Sequence, residues 1–416
     1  MSGKYFVFTD TRHLTPDTRF MIGEIIEVEI ERIVPGGVGL AHAGGKTIFV
    51  MLAAPGDCLR VRVDGVKGTV AFASIVEVIA AGPQRSEPPC PYFGRCGGCD
   101  FQQLTYEAQL QAKVEIIRDC LRRIARLDPP EMISITPSPE VWRYRSRARW
   151  QHDSVRQQLG YYELASHRVC DVVECPVVLP EVQAVLSRLR DELRDGTLPA
   201  KVAEVQAVAG DEGVSVQPPI NQFGASEQSR AISGERYRFD ADCFFQINHA
   251  LLEPLITEAL RGVLNGEQAV DLYCGVGLFT LPLARRFARV TGVEGNARAC
   301  RFARRNLAGA NLTNVRIINA RAGAWLKREA ARIAPADFVL LDPPRAGAEP
   351  DTLDGIISLH PRHISYVSCD PATLARDLKR LTAAGFKIDS LAAFDLFPQT
   401  HHVETVVHLA SGFEMK

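Results

Sequence analysis

Ala269-Val-Asp-Leu-Tyr-Cys-Gly275-Val-Gly277-Leu-Phe-Thr280 is the stretch on which the fold turns. An apolar strand runs into a glycine turn, and the turn opens into a helical segment. That is the first βα unit of a doubly wound sheet, where a nucleotide lies across the carboxyl ends of the strands. The turn holds G-x-G but no third glycine. In dinucleotide binders the third glycine serves close helix–strand packing beside a pyrophosphate. A nucleoside ligand without phosphates needs less, and S-adenosylmethionine is such a ligand.

Working outward, the same pattern repeats. Strands are expected at 269–272, 290–294, 315–318, 337–341 and 364–368, with helical segments between them. Alternating β and α predicts a mostly parallel sheet with helices on both faces. A last strand, 403–409, has no following helix. Seventeen residues after Gly277 the second strand ends in Glu294, placed to accept from ribose hydroxyls. A surface carboxylate is the plain alternative for that position taken alone. The fourth strand runs into Asp342-Pro343-Pro344-Arg345. Two prolines fix an extended backbone and hold Asp342 at the sheet's edge, where it suits a planar nitrogenous base. The fifth ends in Ser368-Cys369-Asp370-Pro371 before a helix, a field expected to favour the Cys369 thiolate and so a nucleophile.

Residues 23–79 read as short strands separated by Gly-rich turns, which predicts a small barrel, either ligand-free or of the nucleic-acid-binding OB type. A linker follows at 80–89. Between Glu107 and Ile124 a helix carries Lys113, Arg118, Arg122 and Arg123, expected as a solvated face. Trp142-Arg-Tyr-Arg-Ser-Arg-Ala-Arg-Trp150 alternates strictly. As a strand it puts Arg143, Arg145, Arg147 and Arg149 on one face, either a solvated edge or a stripe that contacts phosphates.

The 416 residues predict two to three domains at about 150 residues each. Forty-eight basic and 49 acidic residues give a net charge of −1, which excludes binding to nucleic acid through bulk charge alone. No apolar run approaches membrane-spanning length, and the opening residues lack an apolar leader, so a cytoplasmic protein is expected. In that compartment 11 cysteines point to metal ligation or thiolate chemistry rather than disulfides. Cys90, Cys96 and Cys99 fall within ten residues alongside three glycines. A fourth ligand is expected from Cys170 or Cys175, and the donor set suits either an iron–sulfur cluster or zinc. Cys274 and the remaining cysteines read as packing.

These motifs resemble the S-adenosylmethionine-dependent RNA uracil-5 methyltransferases, and the resemblance covers nearly the whole chain. It implies a TRAM-type OB-like barrel at 14–81, a small central α+β domain holding an iron–sulfur cluster at 82–235, and a Rossmann-like doubly wound methyltransferase domain at 236–416. It implies a [4Fe–4S] cluster on Cys90, Cys96, Cys99 and, through Glu174-Cys175-Pro176, Cys175. Phe244-Phe-Gln246-Ile-Asn248 resembles the family's cofactor-contacting segment, and Gln246, Tyr273, Glu294 and Asp342 fall on positions that bind S-adenosylmethionine. Cys369 falls on the nucleophile. Phe397-Pro-Gln-Thr-His-His-Val-Glu404 matches the motif carrying the general base, Glu404. Two departures stand out. Leu278 replaces a residue that is often polar, and Cys170 has no counterpart.

The chemistry is consistent with those roles. Carbon 5 of uracil accepts a methyl group only after a thiolate adds to carbon 6, and a base must then remove the carbon-5 proton. The target base must leave its stack to be reached. The expected partner is RNA, with large-subunit 23S rRNA favoured and tRNA the alternative. A non-catalytic RNA-binding protein would leave Cys369 and Glu404 unexplained. A radical enzyme would leave one iron of its cluster open, and here a fourth cysteine closes it.

Overall fold

The computed structural model describes residues 20–220, 227–263 and 265–412. The chain forms two compact units, Met1–Ser86 and Glu87–Lys416.

In the first unit six strands form one sheet. Their order is Ile25–Glu29, Cys58–Lys67, Val70–Ala80, Lys46–Val50, Val38–Ala43 and Arg32–Val34. The two edge strands are nearly consecutive in the chain. Glu29 pairs with Cys58 on one side and Arg32 with Leu40 on the other, so the sheet curls back on itself. Alternate residues point inward, and Ile48, Val50, Leu59, Val61 and Ala71 fill a fully buried core. The barrel expected from 23–79 is therefore present. The proposed start at residue 14 lies outside the described residues.

The second unit is built on an eight-stranded sheet. Its order is Val315–Asn319, Phe287–Glu294, Gly266–Leu272, Phe338–Leu341, His363–Ser368, Glu404–Ser411, Phe386–Phe394 and Ser134–Thr136. The first five are mutually parallel, and Glu404–Ser411 runs antiparallel to both neighbours. Phe338–Leu341 is buried at every position, as a parallel strand covered on both faces must be. The chain order reverses between Gly266–Leu272 and Phe338–Leu341. That switch point opens a crevice at the carboxyl edge.

A five-stranded antiparallel sheet, centred on Arg147–Asp153, carries the helix Pro180–Arg194. Val182, Leu186 and Leu189 of that helix pack with Trp150, Leu159 and Val205 of the sheet. Residues 82–235 and 236–416, read from the sequence as separate domains, cluster together from Glu87 onward. Strand Ser134–Thr136 is an edge strand of the eight-stranded sheet, and both the Ser146 amide and its hydroxyl donate to the Ile247 carbonyl.

Two expectations fail here. The arginine stripe is not one free surface: Arg143 and Arg149 are exposed, but Arg145 and Arg147 are half-buried. The strand begins only at Arg147, and Arg143 takes a left-handed conformation at φ 51°. Arg147 donates to the Cys243 and Ala241 carbonyls at 2.6 and 2.5 Å, and Arg149 pairs with Glu204 at 2.6 Å. Arg145 turns toward the cysteine pocket. The basic helix is not simply solvated either. It spans Tyr106–Cys120, and its Lys113 is fully buried against Asp395.

Candidate active site

The crevice at the switch point is a cleft of about 580 Å³. Gln246, Tyr273, Glu294, Asp342, Cys369 and Glu404 all line it. Residues separated by more than 150 positions meet there because four strands end on one edge. Gly266–Leu272 delivers Tyr273, Phe287–Glu294 delivers Glu294, Phe338–Leu341 delivers Asp342, and His363–Ser368 delivers Cys369. Glu404 arrives on the antiparallel strand, at its first residue. Ser368 pairs with Thr405, so the next step of the same register sets Cys369 opposite Glu404.

The glycine turn is shaped for close approach. Gly275 and Gly277 have φ of 53° and 98°. A Cβ on Gly277 would lie 2.9 Å from Leu281 Cδ1, so a side chain there meets strain and a clash together. The turn also fixes Glu294. The Gly275 amide donates to Oε2 at 3.0 Å and the Asn296 amide to Oε1 at 2.6 Å. Tyr273, left-handed at φ 62°, donates from its hydroxyl to Glu349 Oε2 at 2.5 Å. Gln246 is buried with its Oε1 unpartnered among the described residues.

Electrostatics correct one expectation. The helix Pro371–Ala383 does begin just past Cys369, and Asp370 caps it by accepting from the Ala372 and Thr373 amides. Yet the Cys369 thiol is pushed up to about 12. Burial is the largest cause, and the carboxyl groups of Glu404 and Asp342 add to it, while Arg345 opposes. In the free protein Cys369 is a thiol, because local acids and desolvation outweigh the helix field. Burial pushes Asp342 up to about 7. Burial and Asp342 hold Glu404 well above the usual carboxylate range, with Arg345 opposing. Glu404 is 1% exposed, and neither of its oxygens has a partner among the described residues. A buried acid with two open oxygens on a cleft wall is a group kept free for a ligand.

The loop that leads into Glu404 is clamped by a distant segment. The Gln399 carbonyl accepts from the Asp100 and Phe101 amides at 3.1 and 3.0 Å, and the Gln109 side-chain amide donates from Nε2 to Gln399 Oε1 and accepts at Oε1 from the Gln399 backbone amide. Tyr144 donates to the Pro398 carbonyl at 2.9 Å, and Lys113 to that of Phe397 at 3.0 Å. Asp100 also holds His401. Asp100 directly follows Cys99, so the cysteine segment and the loop before Glu404 are one mechanical unit.

Cys90, Cys96, Cys99 and Cys175 line a single pocket in front of this clamp. The loop is tied to the five-stranded sheet by the Gly97 amide on the Tyr162 carbonyl, at 2.9 Å. Cys170 is buried outside that lining, and Arg95 Nε donates to its sulfur at 3.3 Å. Among the described residues no three His, Cys, Asp or Glu side chains converge closely enough to hold one metal ion.

Sequence reasoning gave no role to three residues of the cleft. Arg345 sits in a quoted motif, and its charge acts on both Cys369 and Glu404. Phe244, 61% exposed, is an aromatic on the cleft wall. Glu349, the partner of Tyr273, carries no signal beyond standing before the proline that opens a helix.

A doubly wound sheet with a cleft at its switch point has the architecture of a nucleotide-binding enzyme. Residues 227–411 match the family described as tRNA (Uracil-5-)-methyltransferase, and residues 19–76 match the TRAM domain. The 23S rRNA (uracil(1939)-C(5))-methyltransferase RlmD of Klebsiella pneumoniae is 34% identical, over 92% of this chain and 95% of that one. An uncharacterized RNA methyltransferase of Thermosynechococcus vestitus is 32% identical, over 94% and 99%. Among solved structures, the tRNA (uracil-54, C5)-methyltransferase of Pyrococcus abyssi in complex with S-adenosyl-L-homocysteine superposes with a TM-score of 0.71. It is 26% identical and covers 92% of this chain and 100% of that one. The chain belongs to the TRAM-bearing RNA uracil-5 methyltransferase family. Among the described residues no helix is long and apolar enough to cross a membrane.

Proposed function

We propose that the protein methylates carbon 5 of one uridine in 23S rRNA in the cytoplasm, with S-adenosylmethionine as donor, Cys369 as nucleophile and Glu404 as base. The observation that carries this is the register that sets Cys369 against Glu404 on the wall of one cleft. Glu294, its oxygens each steadied by one backbone amide, accepts from the ribose hydroxyls. Asp342 and Gln246 take the remaining polar edges of the donor. The donor's sulfonium is a cation, and its arrival opposes what the carboxyl groups do to the thiol. Cys369 then passes its proton to solvent and adds to carbon 6, and the electron pair of the carbon 5–carbon 6 double bond makes carbon 5 the nucleophile. The methyl group passes to carbon 5. Glu404, ionised with the donor cation and Arg345 facing it, takes the carbon-5 proton, and the thiolate leaves.

We read the four cysteines as ligands of a [4Fe–4S] cluster, with zinc the rival. A single zinc draws its sulfurs to within about 2.3 Å of one point. Here four cysteines line one pocket, a donor set that suits either centre, and the family resemblance favours the cluster. Polar groups stand near the sulfurs, and hydrogen bonds of that kind tune a cluster's potential. Gln102 shares the pocket wall with Cys90 and Cys99, the Gly98 amide donates to Cys96 at 3.4 Å, and the Tyr161 hydroxyl lies 3.9 Å from Cys175. Burial pushes the Cys96 thiol up to about 12, a cost that a bound cationic core offsets. The cluster's place behind the Asp100 clamp gives it a structural task, holding the loop before Glu404.

The large-subunit reading follows the RlmD relatives. The tRNA reading stands second because of the Pyrococcus abyssi structure. Mapping 5-methyluridine in total RNA from a deletion strain separates them. Loss of one 23S position, restored by the wild-type gene but not by Cys369→Ala, is expected. Loss confined to tRNA establishes the second reading, and no loss in either RNA contradicts both.

A further inference from the structure

Arg145 was read from the sequence as one of four arginines facing phosphate, but its side chain lines the cysteine pocket instead. Its backbone is bound to the segment that carries Cys175. The Arg145 amide donates to the Val177 carbonyl at 2.9 Å, and the Arg145 carbonyl accepts from Leu179 at 2.9 Å. Its Nε donates to the Arg147 carbonyl at 2.9 Å, which aims the rest of the guanidinium. No carboxylate among the described residues pairs with it, whereas Arg149, Arg168 and Arg190 nearby are all paired. Among the described residues it is the only cationic side chain lining the pocket. The one acid on the lining, Glu174, is exposed to solvent.

A half-buried guanidinium without a counter-charge is costly unless an anion completes it. Four thiolates around an iron–sulfur core make such an anion, since the ligands carry more negative charge than the core offsets. We propose that Arg145 is the charge-compensating residue of the cluster: its guanidinium balances the anionic cluster from the Cys99–Cys175 side and sets its reduction potential. This rests on the [4Fe–4S] reading above. Net charge and hydrogen bonds at the sulfurs are the levers by which a protein tunes such clusters, and outer residues of this kind typically matter about 10–100-fold for metal retention.

The test compares wild type, Arg145→Gln and Arg145→Lys, each purified and reconstituted anaerobically with iron and sulfide. Midpoint potential is measured by spectroscopic titration, and iron release to a chelator is timed. Arg145→Gln is expected to have a lower potential, because an added electron loses its compensating charge, and to release iron roughly tenfold faster. Arg145→Lys keeps the charge and is expected to keep the potential, and this variant decides the matter if Arg145→Gln does not fold. A glutamine variant with the wild-type potential and release rate overturns the inference and leaves the cluster reading standing. So does a lysine variant whose potential falls. A wild-type protein that takes up no iron, or one zinc instead, overturns both.

Discussion

Cys369 directly follows one strand where Glu404 begins its antiparallel neighbour, and the Ser368–Thr405 pair fixes that register. A parallel sheet alone delivers only strand ends to its active edge. By adding one strand that runs the other way, this fold delivers a strand beginning to the same edge. The proposed nucleophile and the proposed base are therefore positioned by one hydrogen-bonded ladder, which ends at Ser368 and Thr405. Two loops would have held them more loosely.

The buried pair Lys113–Asp395 anchors the loop that precedes Glu404. Lys113→Met leaves Asp395 buried without its partner and is expected to destabilise by about 3–5 kcal/mol. Replacing both, as in Lys113→Met with Asp395→Leu, is expected to recover much of that loss. Urea denaturation of the two singles and the double checks it; simple additivity would show that the pair is not coupled.

Arg147 is expected to matter for stability and not for RNA affinity. Arg147→Ala abandons the Cys243 and Ala241 carbonyls and the Gln206 amide oxygen. A loss of about 1–3 kcal/mol follows from the unsatisfied groups. The salt dependence of RNA binding should stay that of wild type. A flatter slope would restore the phosphate-contacting role.

Those two residues show where sequence reading stopped. The glycine turn and the strand-end positions of Glu294, Asp342 and Cys369 were legible, because they depend on local pattern. Alternation in 142–150 correctly buried Trp150 and Ala148, but it says only which side a residue faces, not what lies on that side. Lys113 looked like a solvent residue because its partner lies 282 positions away. The state of Cys369 was misread for the same reason. The helix that favours a thiolate is adjacent in sequence, while the burial and the Glu404 carboxyl that oppose it are tertiary.

Asp271 lies fully buried beneath the glycine turn, and Thr280 donates to its Oδ2 at 2.5 Å. Burial pushes its carboxyl up to about 8, with the hydrogen bond from Thr280 opposing. Folding therefore favours the protonated acid. Its contribution to stability is fully present below about pH 4, the usual range of an unfolded aspartate, and is lost as pH rises toward 8. Relative to Asp271→Asn, the wild type should lose thermal stability between pH 5 and 8. Parallel melting curves for the two proteins across that window would refute it.

Cys170 and Cys175 are expected to behave differently. Only Cys175 lines the pocket with the other three cysteines, while the Cys170 sulfur is taken by Arg95. Cys175→Ser should lose most of its iron on anaerobic purification, and Cys170→Ser should keep it. The reverse result would move the fourth ligand to Cys170.

The central claim is the division of labour between Cys369 and Glu404, and covalent trapping tests it most directly. Each variant is incubated with substrate RNA and methyl-labelled S-adenosylmethionine, then run on a denaturing gel. Cys369→Ala should form no RNA–protein adduct and transfer no label. Glu404→Gln completes methyl transfer but lacks the base that frees the product, so a labelled adduct should accumulate. Slow leakage to product is expected, since removing a general base costs about 10²–10⁴-fold in rate. An adduct formed by Cys369→Ala, or wild-type turnover by Glu404→Gln, would contradict the account.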